Sequence, residues 1–236
     1  MQKILSTMRK AVERYKLIEN GDKIAVGLSG GKDSLVLLKA LKMFQRFGVY
    51  DYEIVAVTVD IYSGKEGYED LYEFCNELGV ELVVEKTDIS QIVFDERKEK
   101  NPCSLCAKMR RGALNSVASR LGCNKIALGH HLQDVIETFF LSLLYEGRLS
   151  TMKPKSYMSN SKMTLIRPLF LTHEKSIKSV SKDFPVKKSK CPADKNSKRQ
   201  DIEKLIENIN ELIPDSKKRI ESAIISVDSY NMLDKD

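Results

Sequence analysis

Six consecutive residues, Ser29-Gly30-Gly31-Lys32-Asp33-Ser34, have the composition of an anion-binding loop. They follow the apolar run 23–28 and precede the apolar stretch 35–41, which predicts a buried strand, a turn and the start of a helix. Glycines let a backbone approach an anion closely, and the N–H groups at a helix start point towards it. Lys32 adds a positive charge, and the two serines add hydroxyls. The segment is therefore predicted to hold phosphate groups, the alternative being an ordinary glycine-rich turn.

The same segment is not a Walker A loop. That motif would require glycine at position 26, where Val26 stands, and serine or threonine directly after the lysine, where Asp33 stands. We therefore expect this segment to bind phosphates as a loop of a different class.

Three cysteines form a second group with the potential for chemistry. Cys103 and Cys106 form a C-x2-C pair placed just before a predicted helix, and Cys191 lies in a loop 85 residues later. Such thiolates can hold zinc or an iron–sulfur cluster. Three of them on a [4Fe–4S] cluster would leave one iron open for another ligand. Zinc would need a fourth ligand, for which His130 or His131 is a candidate. The remaining cysteines, at positions 75 and 123, are read as structural.

Two acids follow predicted strands. Asp60 ends the second strand, and Asp134 opens the helix after Gly129-His130-His131. Both are candidates to hold Mg2+, which prefers oxygen ligands, or to position a base. The alternatives are a strand-end turn for Asp60 and a favourable helix N-terminal charge for Asp134. Gly129 and His130 are predicted to lie beside a bound nucleotide.

The elements that must position these residues alternate between strands and helices. In chain order, we predict helix 2–19, strand 23–28, helix 33–47, strand 53–60, helix 68–78, strand 80–85, helix 89–98, helix 105–121, strand 124–129, helix 133–145, a polar loop 148–162, strand 164–170, helix 174–182 and C-terminal helices broken at Pro214. Alternating βα units predict an α/β fold, a parallel sheet with helices on both faces, here with a helical C-terminal extension. Ligands bind beyond the carboxyl ends of such strands, so 29–34, 60–64 and 129–134 are expected around one crevice.

Composition narrows the class of protein. The 236 residues suffice for one α/β domain with a small appendage, no apolar stretch approaches the length of a membrane span, and residues 1–10 lack the apolar core of a signal peptide. We therefore expect a cytoplasmic protein without membrane contact. The net charge of +6 is uneven, because residues 148–199 carry fourteen Lys or Arg and three acids, a net +11. That block suits a polyanionic partner, although a solvated lysine-rich surface would have the same composition.

Taken together, the motifs resemble a known family. SGGKDS resembles the PP-loop of N-type ATP pyrophosphatases, and with CSLCAKMRRG at 103–112, ALGHHLQDVIETFFLSLLYEG at 127–147, IRPL at 166–169 and C-x7-RQ at 191–200 the chain resembles the tRNA 2-thiocytidine synthetases (TtcA). The related tRNA 2-thiouridine synthetases are similar in motif order. One departure is Lys188, which stands where that family commonly has a further cysteine.

The resemblance implies a function and its ligands. It implies ATP with Mg2+, a [4Fe–4S] cluster on Cys103, Cys106 and Cys191, and tRNA thiolation, with cytidine 32 as the target. It gives Arg110 a role near the leaving group, and a sulfur donor such as a cysteine desulfurase persulfide or sulfide as a partner. Relatives are often homodimers. The implied organisation is an N-terminal helix (1–20), a PP-loop domain (21–170) and a basic helical extension (171–236).

Two other functions stay open at this point. One is a zinc-containing PP-loop enzyme that adenylates a small molecule or a sulfur carrier. The other is a non-catalytic, nucleotide-gated redox sensor that binds RNA. The basic block at 148–199 favours RNA over a small molecule as the ligand. A non-catalytic sensor would have no use for a loop that binds pyrophosphate.

Overall fold

The structure is a computed structural model that describes residues 1–64, 67–97, 102–187 and 198–226. The chain forms two compact units: Met1–His131 with Lys153–Asp194, and Leu132–Met152 with Lys195–Asp236. The boundaries 20/21 and 170/171 inferred from the sequence remain predictions.

The first unit is built on a six-stranded sheet. Its strands are β1 (Asp22–Gly27), β2 (Tyr52–Asp60), β3 (Glu81–Lys86), β4 (Lys125–Ala127), β5 (Lys155–Met158) and β6 (Met163–Ile166). Their order is β3-β2-β1-β4-β6-β5, and every pairing is parallel except that of β5 with β6. The predicted α/β class is confirmed.

The edge strand β5 corrects the prediction of a polar loop over 148–162. Residues 155–158 pair with β6 in antiparallel register, from Lys155 opposite Ile166 to Met158 opposite Met163. Residues 155–158 lack apolar side chains on both faces because an edge strand is only partly covered by the rest of the protein. Tyr157 is therefore 67% exposed, whereas Met158 packs against the core. An antiparallel edge on an otherwise parallel sheet is a common arrangement.

Helices cover both faces of this sheet. Those of the first unit are α1 (Gln2–Tyr15), α2 (Lys32–Gln45), α3 (Glu69–Glu77), α4 (Pro102–Arg120) and α6 (Glu174–Val180), with a π-helical turn at Gln91–Glu96. Along β1, Ile24 and Val26 face the core shared with α1, α2, α3 and α6, whereas Ala25 faces the core shared with α4. This alternation is the period of two that a strand imposes.

The second unit is helical. It contains α5 (Leu132–Glu146), α7 (Lys198–Leu212) and α8 (Ser216–Ile225), which share a small core centred on Ile136, Phe140, Ile202 and Ile206. In neither unit do the described residues include a helix long and apolar enough to span a membrane.

A buried ion pair joins the beginnings of β1 and β4, at the end of the sheet away from the glycine-rich loop. The Lys125 Nζ lies 2.8 Å from Asp22 Oδ2 and 2.7 Å from Glu19 Oε2, and it donates to the Leu17 carbonyl. Asp22 also accepts bonds from the Glu19 N–H and the Asn124 amide. Both members of the Lys125–Asp22 pair are almost fully buried, so neither charge can turn to water when its partner is removed.

We predict that Lys125→Met lowers the free energy of unfolding by about 3 kcal/mol, because it leaves the Asp22 charge buried without its counter-ion. The matched control is Lys23→Met, which removes the exposed pair between Lys23 and Glu53 and should cost less than about 1 kcal/mol. Urea unfolding measures both. Equal losses in the two variants would contradict a structural role for the buried pair.

Candidate functional site

The glycine-rich loop has the conformation that an anion site requires. It connects β1 to α2, with Gly30 at φ +77° and Gly31 capping the helix. The Ser34 hydroxyl donates to the Gly31 carbonyl at 2.8 Å and accepts from the Ser29 N–H at 3.2 Å. Ser34 is buried, so its hydroxyl braces the loop from within. The N–H groups at the start of α2 thus form a rigid site that favours negative charge.

Lys32 lies between two carboxylates. Its Nζ is 3.3 Å from Asp33 Oδ2 and 3.2 Å from Glu174 Oε1, the latter at the start of α6. Partial burial alone would lower the pKa of Lys32, but Asp33 and Glu174 outweigh it and hold that pKa above its ordinary value. The ammonium is therefore charged throughout the neutral range and ready to meet a phosphate.

Gly129 brings the end of β4 against this loop. A side-chain carbon at Gly129 would lie 2.9 Å from the Asp33 carbonyl carbon and oxygen and 3.0 Å from the Ser34 nitrogen. Only glycine allows this approach of two backbones. Two residues later, the buried His131 places Nε2 3.6 Å from Asp33 Oδ1. The predicted neighbourhood of the loop and of residues 129–131 is thus present in the first unit.

His130 is held by Arg167 of the IRPL segment. The Arg167 Nε donates to His130 Nδ1 at 3.2 Å, and the same guanidinium donates to the Lys153 carbonyl. A guanidinium has no acceptor, so Nδ1 must be the unprotonated nitrogen in this arrangement. This contact fixes the ring of His130 relative to the IRPL segment.

Asp60 organises the loop after β2. Its side chain is fully buried, and its two oxygens accept the N–H groups of Tyr62 at 2.8 Å and Gly64 at 2.6 Å. These contacts fit the strand-end turn that was the alternative for this residue. A role in holding Mg2+ remains a prediction.

Asp134 lies in the first turn of α5, in the second unit. Its Oδ1 is 3.1 Å from Arg199 NH1, and the same guanidinium lies 3.2 Å from Glu137 Oε2. Burial raises the pKa of Glu137, although the Gln133 hydrogen bond and the Arg199 charge act in the opposite direction. The two acids therefore bind α7 to α5, and a catalytic role for Asp134 remains a prediction.

The C-x2-C pair lies within α4, which corrects the prediction that it precedes the helix. Proline is favoured at the first helical position, so α4 begins at Pro102 and includes both thiols in its first turn and a half. Cys103 is exposed, whereas Cys106 contacts an apolar cluster beside the π-helical turn. Arg110 follows these cysteines by seven and four residues, so all three share one helix face. Cys191 lies outside the described residues.

Sequence analysis did not single out three residues that contact Lys32, His130 and Asp134. They are Glu174, Arg167 and Arg199, respectively. Glu174 is the first residue of the predicted helix 174–182 and belongs to no motif. Arg167 and Arg199 each stand inside a motif that was noted, IRPL and C-x7-RQ. The position of each arginine inside a recognised motif was the available signal, whereas Glu174 had none because its partner Lys32 is 142 residues away in the chain.

We predict that Gly129→Ala weakens ATP binding by about tenfold or more, because its Cβ would displace the first turn of α2. The overpacking should also lower the free energy of unfolding by about 1–3 kcal/mol. Gly112→Ala is the matched control, since a side-chain carbon there meets nothing within 4 Å and alanine favours the helix α4. Calorimetric titration with ATP, combined with thermal unfolding, measures both effects. Wild-type affinity in Gly129→Ala would contradict the close-contact argument.

Comparison with known proteins identifies the family of this chain. A family model for the PP-loop domain matches residues 2–203. The chain is 37% identical over 240 residues to the tRNA-cytidine(32) 2-sulfurtransferase of Citrifermentans bemidjiense. The alignment covers 99% of this chain and 93% of that protein. It is 38% identical to the tRNA-cytidine(32) 2-sulfurtransferase of Syntrophotalea carbinolica, over 99% of this chain and 92% of that protein.

Two solved structures share the fold. The U34-tRNA thiolase NcsA from Methanococcus maripaludis, solved with its [4Fe-4S] cluster, superposes with a TM-score of 0.74 at 27% identity, over 94% of this chain and 77% of that chain. The NH3-dependent NAD synthetase of Campylobacter jejuni superposes with a TM-score of 0.51 at 15% identity, over 95% and 91%, a likeness of fold alone. By its PP-loop domain and its full-length relatives, this chain belongs to the family of tRNA-cytidine(32) 2-sulfurtransferases.

Proposed function

We propose that this chain is an ATP-dependent tRNA sulfurtransferase that replaces the C2 oxygen of a pyrimidine, cytidine 32, with sulfur. The observation that carries the proposal is the full-length similarity to proteins of that name, combined with an intact SGGKDS loop in the required conformation. A carbonyl oxygen is a poor leaving group. Adenylation converts it into a good one, and this is what a pyrophosphate-binding loop serves.

The chain's own residues act mainly on the nucleotide in this proposal. The N–H groups at the start of α2 and the ammonium of Lys32 bind the β- and γ-phosphates, with Mg2+ as the accompanying cation. Negative charge grows on pyrophosphate as it leaves, so fixed positive groups there lower the barrier. Gly129 and His130 lie along the neighbouring strand end, where the rest of the nucleotide is expected.

The cysteines fit an iron–sulfur cluster by their chemistry. Cys103 and Cys106 present two thiols from one face at the start of α4, a position that favours negatively charged ligands. Cys191, the third proposed ligand, lies outside the described residues. Three protein thiolates leave one iron for an outside ligand, and a bound cluster would hold the sulfur that enters the product. Arg110, on the same helix face, is the proposed basic residue near the leaving group.

The basic block provides the proposed surface for tRNA. Lys153 and Lys162 are exposed on either side of β5, and Tyr157 is exposed between them. Lys155 differs, because its Nζ donates to the Lys16 carbonyl and thereby ties β5 to the end of α1. Lys155 is therefore a structural lysine, and the two flanking lysines are better candidates for phosphate contacts.

Three further parts of the proposal are supported by family resemblance only. They are a sulfur donor, such as a cysteine desulfurase persulfide or sulfide, the pairing of two chains into a homodimer, and a location in the cytoplasm. The alternative of a zinc enzyme on a small molecule is less favoured, because the relatives named above are tRNA sulfurtransferases and the solved thiolase carries a [4Fe-4S] cluster.

We predict that Cys103→Ala abolishes both the cluster and 2-thiocytidine in tRNA, because it removes one of three thiolate ligands. Cys106→Ala and Cys191→Ala should do the same. The measurements are iron and sulfide analysis of protein purified without oxygen, with about four irons expected per chain, and mass spectrometry of tRNA nucleosides from a deletion strain that carries each variant.

The matched controls are Cys75→Ala and Cys123→Ala, which alter buried thiols in the sheet cores and should keep cluster and product. One zinc and no iron, with thiolation intact, would refute the cluster. Unchanged tRNA nucleosides in the deletion strain would refute the proposed function itself.

We predict that the double charge reversal Lys153→Glu with Lys162→Glu weakens tRNA binding by about tenfold. Because each phosphate contact releases counterions, the slope of log Kd against log salt concentration should also fall by about 2. ATP binding should be unchanged. Filter binding over a salt series measures this effect.

A control for net charge is Lys3→Glu with Lys10→Glu, two exposed lysines on α1. This variant changes the net charge equally and should retain most of the tRNA affinity. Equal weakening by both variants would show that overall charge, and not the surface beside β5, determines binding.

A further inference from the structure

Glu174 is bound at both of its carboxylate oxygens. Oε1 lies 3.2 Å from Lys32 Nζ, and Oε2 lies 2.9 Å from the Nζ of Lys178, one turn later in α6. Burial alone would raise the pKa of Glu174, but Lys178 and Lys32 outweigh it and hold the pKa below its ordinary value. The residue is therefore an anion at neutral pH, held in one orientation.

The element that carries Glu174 is firmly fixed in the first unit. Ile177, one turn later, is fully buried in the core that α2 and β1 share. Just before the helix, the buried Thr172 bonds through its hydroxyl to Thr7 of α1 at 2.7 Å. A carboxylate on such a support is a fixed point against which the long, flexible side chain of Lys32 can be held.

The surroundings of Lys32 limit where its ammonium can lie. An ammonium has three N–H donors. Asp33 comes from the same helix turn and moves with Lys32, whereas Glu174 comes from a different element and fixes the ammonium relative to the sheet. With these two carboxylates as partners, one donor remains for a phosphate oxygen.

We propose that Glu174 is a positioning residue for the adenylation step, which holds the Lys32 ammonium where charge grows on the leaving pyrophosphate. The inference rests on the proposed function. In that step the substrate oxygen forms a bond to the α-phosphorus, the bond from that phosphorus to the bridging oxygen breaks, and pyrophosphate leaves with the electron pair. Lys32 meets more negative charge in the transition state than in bound ATP, so its placement affects the rate more than the affinity.

The effect on ATP affinity is further reduced by the charge of Glu174 itself. The carboxylate repels a polyphosphate, so its removal relieves a repulsion while it loosens Lys32. These two consequences oppose each other in the ATP complex. In the transition state, the loss of a fixed donor dominates.

Glu174→Gln, which keeps the size of the side chain, should lower kcat for tRNA-dependent pyrophosphate release by about tenfold. The KM for ATP should stay within about threefold of the wild-type value. The matched control is Lys175→Met, which removes the charge of an exposed lysine on the same helix and should leave both constants near wild type. A wild-type kcat in Glu174→Gln overturns the inference, as does a rise in KM alone.

A second measurement does not depend on turnover. Because Glu174 helps to raise the pKa of Lys32, its replacement increases the fraction of neutral amine, and an amine-reactive ester should label Lys32 at least about twofold faster in Glu174→Gln. Peptide mass spectrometry of the full-length protein gives the rate, and Lys175→Met again serves as control. An unchanged labelling rate overturns the contact on which the inference depends.

A double variant tests whether Glu174 acts through Lys32. In a Lys32→Met background, Glu174→Gln should cause no further loss in the residual rate, and an undiminished tenfold loss overturns the positioning role. Thermal unfolding within a few degrees of wild type verifies that the single variant is folded. Absence of pyrophosphate release by wild-type protein with tRNA refutes the proposed function, whereas normal release with no change in Glu174→Gln refutes the inference alone.

Discussion

The proposed nucleotide site depends on the contact between two backbones, those of Gly129 and the first turn of α2. Strands β1 and β4 are neighbours although six elements separate them in the chain, so the loops after them emerge side by side at the point where strand order reverses. In open α/β sheets such a point forms the binding crevice. The absence of a side chain at Gly129 brings the two loops into contact and fixes the N–H groups that we propose to face the phosphates.

Around this contact, charges of alternating sign form a chain that links three elements. It runs from Lys178 through Glu174 to Lys32, and onwards through Asp33 towards His131. The charge of Lys32 is thus balanced before any nucleotide arrives. Attraction of a polyphosphate must then come largely from the backbone N–H groups and the accompanying Mg2+. Such an arrangement suits a lysine whose main effect is on the departing pyrophosphate.

Most of the fold follows from local patterns in the sequence. The alternation of apolar runs with amphipathic stretches predicted β1 to β4, β6 and the helices between them, because each forms a large part of a core. The patterns failed where local composition did not determine the structure. Residues 155–158 form a strand because β6 offers an edge, and α4 begins early because Pro102 needs no hydrogen-bond partner for a missing N–H.

The site shows a sharper limit to sequence reasoning. Ser34 and Asp60 were predicted from their motif positions, and their roles towards ligands remain predictions; the structure adds that Ser34 braces its own loop and that Asp60 accepts two backbone N–H groups. A residue type at a motif position indicates which chemistry is available, but the direction of the side chain is decided by unsatisfied backbone groups nearby. Conversely, Glu174 carries no motif signal and contacts the central lysine of the loop, because β6 ends beside β4 and brings α6 over α2. Residues that tune a catalytic group are supplied by topology, so they become visible only when the sheet order is known.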